Sequence, residues 1–199
     1  LKIITPSQWL GDLAKQSFLR PYPAEVVHNG IDLNKFKPLN NDKKSESKII
    51  LGVASTWDLR KGLLDFLKLR ELLSPDYEIV LIGLSQKQIE KLPEGILGIR
   101  RTENVEALVE WYNKASVFIN PTYVDNFPTT NIEALACGTP VITYNTGGSP
   151  EAIDSETGAV VYKGDITGIV EAIESLSLRN QHELSNNCVK RAQNRFDKK

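Results

Sequence analysis

Ile49-Ile50-Leu51-Gly52-Val53 and Tyr77-Glu78-Ile79-Val80-Leu81-Ile82-Gly83 are two apolar runs of strand length, and the stretch between them, over residues 61–73, has the length and composition of a helix. Runs that are apolar throughout, with no in–out alternation, suit strands buried on both faces. Two such strands joined through a helix form a β-α-β unit, whose strands must lie parallel. Further strands are expected at residues 95–99, 117–120, 141–144 and 159–161. Between them Val105, Leu108, Val109 and Tyr112, and again Ile166, Ile169, Val170 and Ile173, recur at i, i+3, i+4 and i+7, the stripe of an amphipathic helix. Strands alternating with helices give an α/β fold: a Rossmann-like open parallel sheet of about six strands with helices on both faces.

Outside this regular part, Thr5-Pro6-Ser7-Gln8 reads as a helix entry, with Thr5 as the cap, Pro6 at the first helical position and Gln8 reaching back, and the helix runs to about Phe18. Residues 25–28 read as a short strand ending at the turn signal Asn29-Gly30. Residues 40–48 are polar and without apolar period, and so form an exposed loop. Residues 180–196 read as a last outer helix. Its basic residues Lys190 and Arg191, with Arg195, Lys198 and Lys199, read as a solvated face or frayed tail.

Lys and Arg number 24 against 25 Asp and Glu, a net charge of −1, so the totals give nucleic acid no electrostatic foothold. Cys137 and Cys188 lie far apart without metal-ligand spacing, and there are only 2 histidines, so neither a disulfide framework nor a His/Cys zinc site is expected. A reduced, cytoplasmic setting follows from that cysteine usage, and Cys137 suits a small buried position. No run approaches the roughly 20 apolar residues that span a bilayer. The chain opens on Leu1 and contains no Met, so a preceding segment is expected.

Ligands of open α/β sheets bind beyond the carboxyl ends of the strands, which directs attention to the turns there. The first, Ala54-Ser55-Thr56-Trp57-Asp58-Leu59-Arg60-Lys61-Gly62, offers Ser55, Arg60 and Lys61. Arg60 and Lys61 suit the neutralisation of a diphosphate, and an ordinary solvated basic pair is the alternative. Residues 100–104, Arg100-Arg101-Thr102-Glu103-Asn104, form another such turn. In Asp125-Asn126-Phe127-Pro128-Thr129-Thr130-Asn131-Ile132-Glu133-Ala134-Leu135-Ala136-Cys137-Gly138-Thr139-Pro140, two carboxylates stand eight residues apart around a helix start. Free amides there attract anions. The alternative makes Asp125 and Asn126 turn residues and Glu133 a surface residue, although the apolar run after Glu133 should bury its carboxylate, which then needs a partner. Gly147-Gly148 permits close backbone approach to a ligand, and a plain turn is the alternative.

The Asp125 to Glu133 spacing followed by Ala-Leu-Ala-Cys-Gly-Thr-Pro-Val resembles the acidic-x7-acidic motif of the retaining glycosyltransferases called family 4, with Asp125 where Glu is usual. Val27-His28-Asn29-Gly30-Ile31-Asp32 with Phe36 and Pro38, Lys61-Gly62, and Asn145-Thr146-Gly147-Gly148-Ser149-Pro150-Glu151 match the family in order, across nearly the whole chain. The resemblance implies the C-terminal, nucleotide-sugar-binding half of a GT-B enzyme: residues 1–24 as the end of an N-terminal region with a linker helix, and residues 25–199 as the donor domain. It implies a UDP or GDP sugar as substrate, no cofactor and no metal. A saccharide or lipid-linked acceptor would be held by the N-terminal domain, with peripheral membrane association of the full-length protein. Candidate catalytic residues are Asp125, against the transferred sugar, with Glu133, on the ribose hydroxyls, and Lys61. Arg101 would lie near the base, stacking on it or reaching a phosphate. Phe127 and Pro128 shape the loop, with Asn126 beside them, and the amides of Thr129 and Thr130 hold the diphosphate. Relatives carry an Arg in a Gly-Arg-Leu pattern where this chain has Val53-Ala54-Ser55, and Arg60 is the candidate replacement.

Paired carboxylates also suit glycoside hydrolysis, but a helix-terminal anion site suits a diphosphate leaving group better. A nucleotide-sugar epimerase of the same architecture and a non-catalytic nucleotide-binding module are the remaining alternatives.

Overall fold

The computed structural model describes residues 1–39 and 48–198. Its elements in chain order are β1 (Ile3–Thr5), α1 (Gln8–Lys15), β2 (Ala24–Val26), β3 (Lys48–Val53), α2 (Leu63–Leu72), β4 (Tyr77–Ile82), α3 (Gln86–Ile89), β5 (Ile96–Ile99), α4 (Val105–Lys114), β6 (Val117–Asn120), α5 (Thr129–Ala136), β7 (Val141–Tyr144), β8 (Gly158–Val161), α6 (Ile166–Ser177) and α7 (Gln181–Phe196). Short 3-10 turns occupy Leu59–Lys61 and Ser149–Ala152.

β3 to β8 form one six-stranded sheet in the order β5-β4-β3-β6-β7-β8, with every pairing parallel. The expected α/β architecture is what forms. The sheet grows one way from β3 and the other way from β6, the doubly wound arrangement with its switch point between them. α2 packs with α6, while α5 packs with α4 and α7, so the sheet is covered by two helical layers. The strand interiors Ile50, Leu51, Ile79, Val80, Phe118, Val141 and Ile142 are buried. Gly52 in mid-strand allows Phe66 of α2 to lie on the sheet: a Cβ there would stand 2.6 Å from the Phe66 ring.

β1 and β2 form a separate two-stranded parallel sheet, with Ile4 opposite Glu25. This overturns the expected helix entry. Thr5 belongs to a strand and its carbonyl accepts from Val27 N (2.9 Å), so Thr5 cannot cap. Ser7 takes the N-cap position instead, its Oγ accepting from Leu10 N at 3.2 Å. Pro6 precedes the cap, the Gln8 side chain donates to Asp12, and the helix stops at Lys15, short of Phe18. The segment 40–47, read as an exposed loop, lies outside the described residues, and Lys48 already belongs to β3.

The last helix is also more embedded than its composition suggests. Leu184, Cys188, Ala192 and Phe196 are buried on it. Arg191 is no solvated cation: it donates to the Ala152 carbonyl at 2.5 Å and the Ile153 carbonyl at 3.2 Å and pairs with Asp154. At the end of the helix, Ile31 N donates to Phe196 O (2.7 Å) and Lys198 N to Ile31 O (3.1 Å), which ties residues 196–198 to the stretch that follows β2.

Four buried polar side chains tie β6 and β7 to α5 and to the turn Ser149–Ala152. Asn120 donates to Asn131 Oδ1 at 2.8 Å, Asn131 donates to Ser149 Oγ at 3.1 Å, and Thr143 bonds the Asn120 carbonyl (2.8 Å) and Ser149 Oγ (2.6 Å). Asn131→Ala would leave the Asn120 amide without its side-chain partner and take one bond from Ser149, which keeps Thr143, in a buried interior. A stability loss of about 2 to 4 kcal/mol is expected in urea unfolding, and a loss below about 0.5 kcal/mol would show the network to be dispensable.

Candidate active site

Residues 54–62 leave the carboxyl end of β3 and residues 121–128 leave that of β6, so the two loops face each other across the switch point. Asp58 shapes the first. Its carboxylate caps the 3-10 turn by accepting from Arg60 N (2.9 Å) and Lys61 N (3.2 Å), and Gly62 then adopts a φ of 73°. A Cβ on Gly62 would lie 2.4 Å from the Pro121 carbonyl, so the loops touch at that residue. The Arg60 carbonyl receives Tyr123 N at 2.7 Å and Thr122 Oγ1 at 3.3 Å.

These backbone contacts bring Lys61 Nζ to 2.6 Å from Asp125 Oδ2, with the two side chains only 28% and 19% exposed. Partial burial shields this pair from solvent more than surface pairs are shielded. Arg60 points elsewhere: its guanidinium folds onto Asp58 (Nε 3.0 Å, Nη2 2.8 Å) with 73% of the side chain exposed, and that bond holds the Asp58 carboxyl below its usual range.

The second loop ends at α5. Phe127 and Pro128 are buried while Asn126 is exposed, so the loop is anchored by its apolar residues and presents its polar ones. The Phe127 ring stacks on His28 with centroids 4.8 Å apart and lies 5.8 Å from Phe196. Pro128 stands at the N-cap of α5, where no side chain caps the first turn of Thr129 and Thr130. An uncapped helix start offers its amides and its positive dipole end to an anion.

Glu133 lies one turn further along α5, half-buried, with Tyr112 Oη donating to it at 2.9 Å. Burial pushes its carboxyl above the usual range, and hydrogen bonds from Tyr112 and the Thr129 side chain pull in the opposite direction. Burial, with the carboxylate beside it, pushes the Tyr112 phenol well up. Burial and Glu133 also push the Cys137 thiol up to about 12, which makes it the inert buried group its setting suggests.

Next to the Lys61 loop, at the carboxyl ends of β3, β4 and β5, lies an open cleft of about 540 Å³. Ser55 and Arg101 meet there with Trp57, Ser85, Gln88 and Arg100. Trp57 forms a fixed wall, donating its indole N–H to the Ile82 carbonyl at 2.9 Å and resting edge-on against Phe66. The structure thus divides the candidates into a pair at the switch point, an uncapped helix start with Glu133 behind it, and a basic cleft to one side. Among the described residues no three His, Cys, Asp or Glu side chains cluster as for a metal.

Sequence reading missed several supporting groups. Tyr112 looked like a core residue of α4, and nothing in its local pattern marks the Glu133 contact. Asp65, in the first turn of α2, is buried and accepts from Tyr144 Oη at 2.9 Å. Burial, together with that carboxylate, raises the pKa of both Tyr144 and the neighbouring Tyr123. Gly147 and Gly148, singled out in the sequence, make their close approach to the loop itself: a Cβ on them would stand 2.0 Å from Asp125 O and 1.9 Å from Asn126 O.

A family model described as "Glycosyl transferases group 1" matches residues 34–195. The chain belongs to this glycosyltransferase family. Among its relatives, the capsular polysaccharide biosynthesis glycosyltransferase CapM of Staphylococcus aureus is 30% identical over 189 residues, covering 84% of this chain and 49% of that protein. Among solved structures, sucrose-phosphate synthase from Thermosynechococcus elongatus superposes with a TM-score of 0.86 at 24% identity, over 98% of this chain and 54% of that one. Anabaena Alr3699/HepE, solved in complex with UDP-glucose, gives 0.81 at 15% identity over 98% of this chain and 60% of its own. These two likenesses show the GT-B type of fold. The group 1 glycosyltransferase chain described here spans about half the length of the curated relatives it matches.

Because the pKa of the Glu133 carboxyl in this member of the family is raised in the folded state by burial, the native protein holds its proton to higher pH than the unfolded chain does. That contribution to stability is present at low pH and is lost as pH rises from the ordinary glutamate pKa through the raised one. Glu133→Gln is expected to remove this decline from a pH series of unfolding midpoints, and Tyr112→Phe, which deletes the donor to the carboxylate, to extend it to higher pH. An unchanged series in both variants would contradict the burial argument.

Proposed function

We propose that this glycosyltransferase chain is the donor-binding half of a family 4 enzyme that transfers a hexose, with retention, from a nucleoside-diphosphate sugar of the UDP or GDP type. One observation carries the reading: the half-buried Lys61–Asp125 pair stands at the switch point that also receives the uncapped start of α5. Such a site is built for a ligand carrying an anion and a polar sugar together. The diphosphate would take the Lys61 ammonium and the amides of Thr129 and Thr130, and Glu133 would accept the ribose hydroxyls. The base would enter the cleft of Ser55 and Arg101, and Asn126 would border the sugar. Arg60 reaches the diphosphate only after leaving Asp58.

In transfer, the bond from the anomeric carbon to the diphosphate breaks as the acceptor oxygen bonds to that carbon, and the acceptor proton leaves with the diphosphate. Positive charge builds on the sugar and negative charge on the leaving group. Asp125 stabilises the first, Lys61 and the α5 dipole the second. The complex of the HepE structure with UDP-glucose supports a nucleotide-sugar donor, and the CapM likeness supports polysaccharide or glycolipid synthesis as the setting. The acceptor, a saccharide or a lipid-linked one, would be held by a preceding region to which residues 1–24 belong. A lipid-linked acceptor would bring the full-length protein peripherally to the cytoplasmic side of a membrane. Among the described residues no helix is long and apolar enough to cross one.

Calorimetric titration with UDP, GDP, ADP and their sugar conjugates tests the donor site. One nucleotide family is expected to saturate, and Lys61→Ala to weaken it at least tenfold, about 1.4 kcal/mol, with the thermal midpoint within a few degrees of the parent. In the full-length enzyme Asp125→Asn is expected to retain donor binding while lowering transfer about a hundredfold or more. Unaltered binding in Lys61→Ala would remove the diphosphate from the switch point.

A further inference from the structure

α1 has no acidic residue in its own first turn, yet its amides are fully served. Glu151, 143 residues away in sequence, accepts from Gln8 N at 2.8 Å through Oε2, and accepts from Trp9 N at 2.9 Å through Oε1. Ser7 takes Leu10 N. A carboxylate spanning two amides at the positive end of a helix is a strong and directional joint. It fastens α1 to the turn Ser149–Ala152, which Arg191 braces from behind through the Ala152 and Ile153 carbonyls.

This joint lies directly behind the catalytic loop. Ser7 is wholly buried against Gly148, where a Cβ would stand 2.6 Å from the Ser7 Cβ. The Gly148 amide donates to the Asp125 carbonyl at 3.1 Å. Two residues on, Phe127 stacks on His28, whose Nδ1 lies 2.9 Å from the Pro6 carbonyl. The backbone that carries Asp125 therefore rests on the entry of α1 at two places, and Glu151 holds that entry down. We infer that Glu151 is a positioning residue for transfer: by clamping the first turn of α1 it keeps the Asp125 loop in register with Lys61, touching neither donor nor acceptor. The inference rests on the reading of Asp125 as the carboxylate against the sugar, and it makes α1 a working part of the site and not only a connector.

The test uses the full-length protein with Glu151→Ala and Glu151→Gln. Gln keeps the shape and one accepting oxygen, and it carries the test if the Ala variant does not fold. Amide hydrogen exchange is expected to speed up at least tenfold in Glu151→Ala at Gln8 and Trp9, and also at Gly148 and across residues 125–129. In the same variant kcat should fall at least tenfold with donor KM within twofold of the parent, and Gln should recover kcat to within about threefold. Exchange that quickens only at residues 8–10, with kcat unchanged, would overturn the inference and leave a merely structural cap. If the loop loosens but the parent protein itself transfers no sugar from any nucleotide donor, the clamp stands and the transferase reading falls.

Discussion

Everything in this molecule hangs on the seam between β3 and β6. It is short: Ile50 pairs with Val117 and Leu51 with Phe118. Crossovers carry the chain outward from β3 through β4 to β5, then back across the sheet to β6 and outward again to β8. The helices that follow β3 and β6, α2 and α5, lie in different helical layers, and the loops after β3 and β6 stand at the seam between them. A crevice at that point follows from the topology and needs no special sequence. The sequence decides what fills it.

What fills it is a set of charges with restricted freedom. The Lys61–Asp125 pair is held by loops that bond to each other through the Arg60 carbonyl, and α5 is pinned by the Asn120–Asn131–Ser149 network. Among the described residues no buried side-chain nitrogen or oxygen lacks a partner. A fully satisfied polar interior is rigid because any shift leaves a group unpaired. Rigidity of that kind lets charges and dipoles act on a reacting ligand without reorganising first, which is the basis of electrostatic catalysis. The aromatic trio of His28, Phe127 and Phe196 extends this support, joining three distant parts of the chain beneath one loop.

The sheet and most of its helices were legible in the sequence because strands buried on both faces are unbroken apolar runs of strand length and amphipathic helices repeat every 3.6 residues, signals that survive in any tertiary setting. The Asp125 to Glu133 segment was legible for a related reason: its strand, its turn and its helix are contiguous. The entry of α1 was misread because two local signals competed. Pro6 after Thr5 resembles a cap, but pairing with Ala24–Val26 draws Thr5 into a strand, and only tertiary contact settles that competition. Arg191 was misread in the same way, since nothing nearby in sequence shows the carbonyls it meets.

By itself, then, the sequence determined the α/β class, the positions of the six strands of the main sheet, the likeness to the glycosyltransferases and the residues offered at the carboxyl ends of those strands. Tertiary structure alone decided how they are partnered: Lys61 with Asp125 and not with solvent, Arg60 with its neighbour Asp58, Glu133 with Tyr112, and Glu151 with the amides of α1. The physical reason is range. Periodicity and capping are set by neighbours within a few residues, whereas a charge takes whichever partner the folded chain brings within about 3 Å, and sequence separation carries no record of that distance.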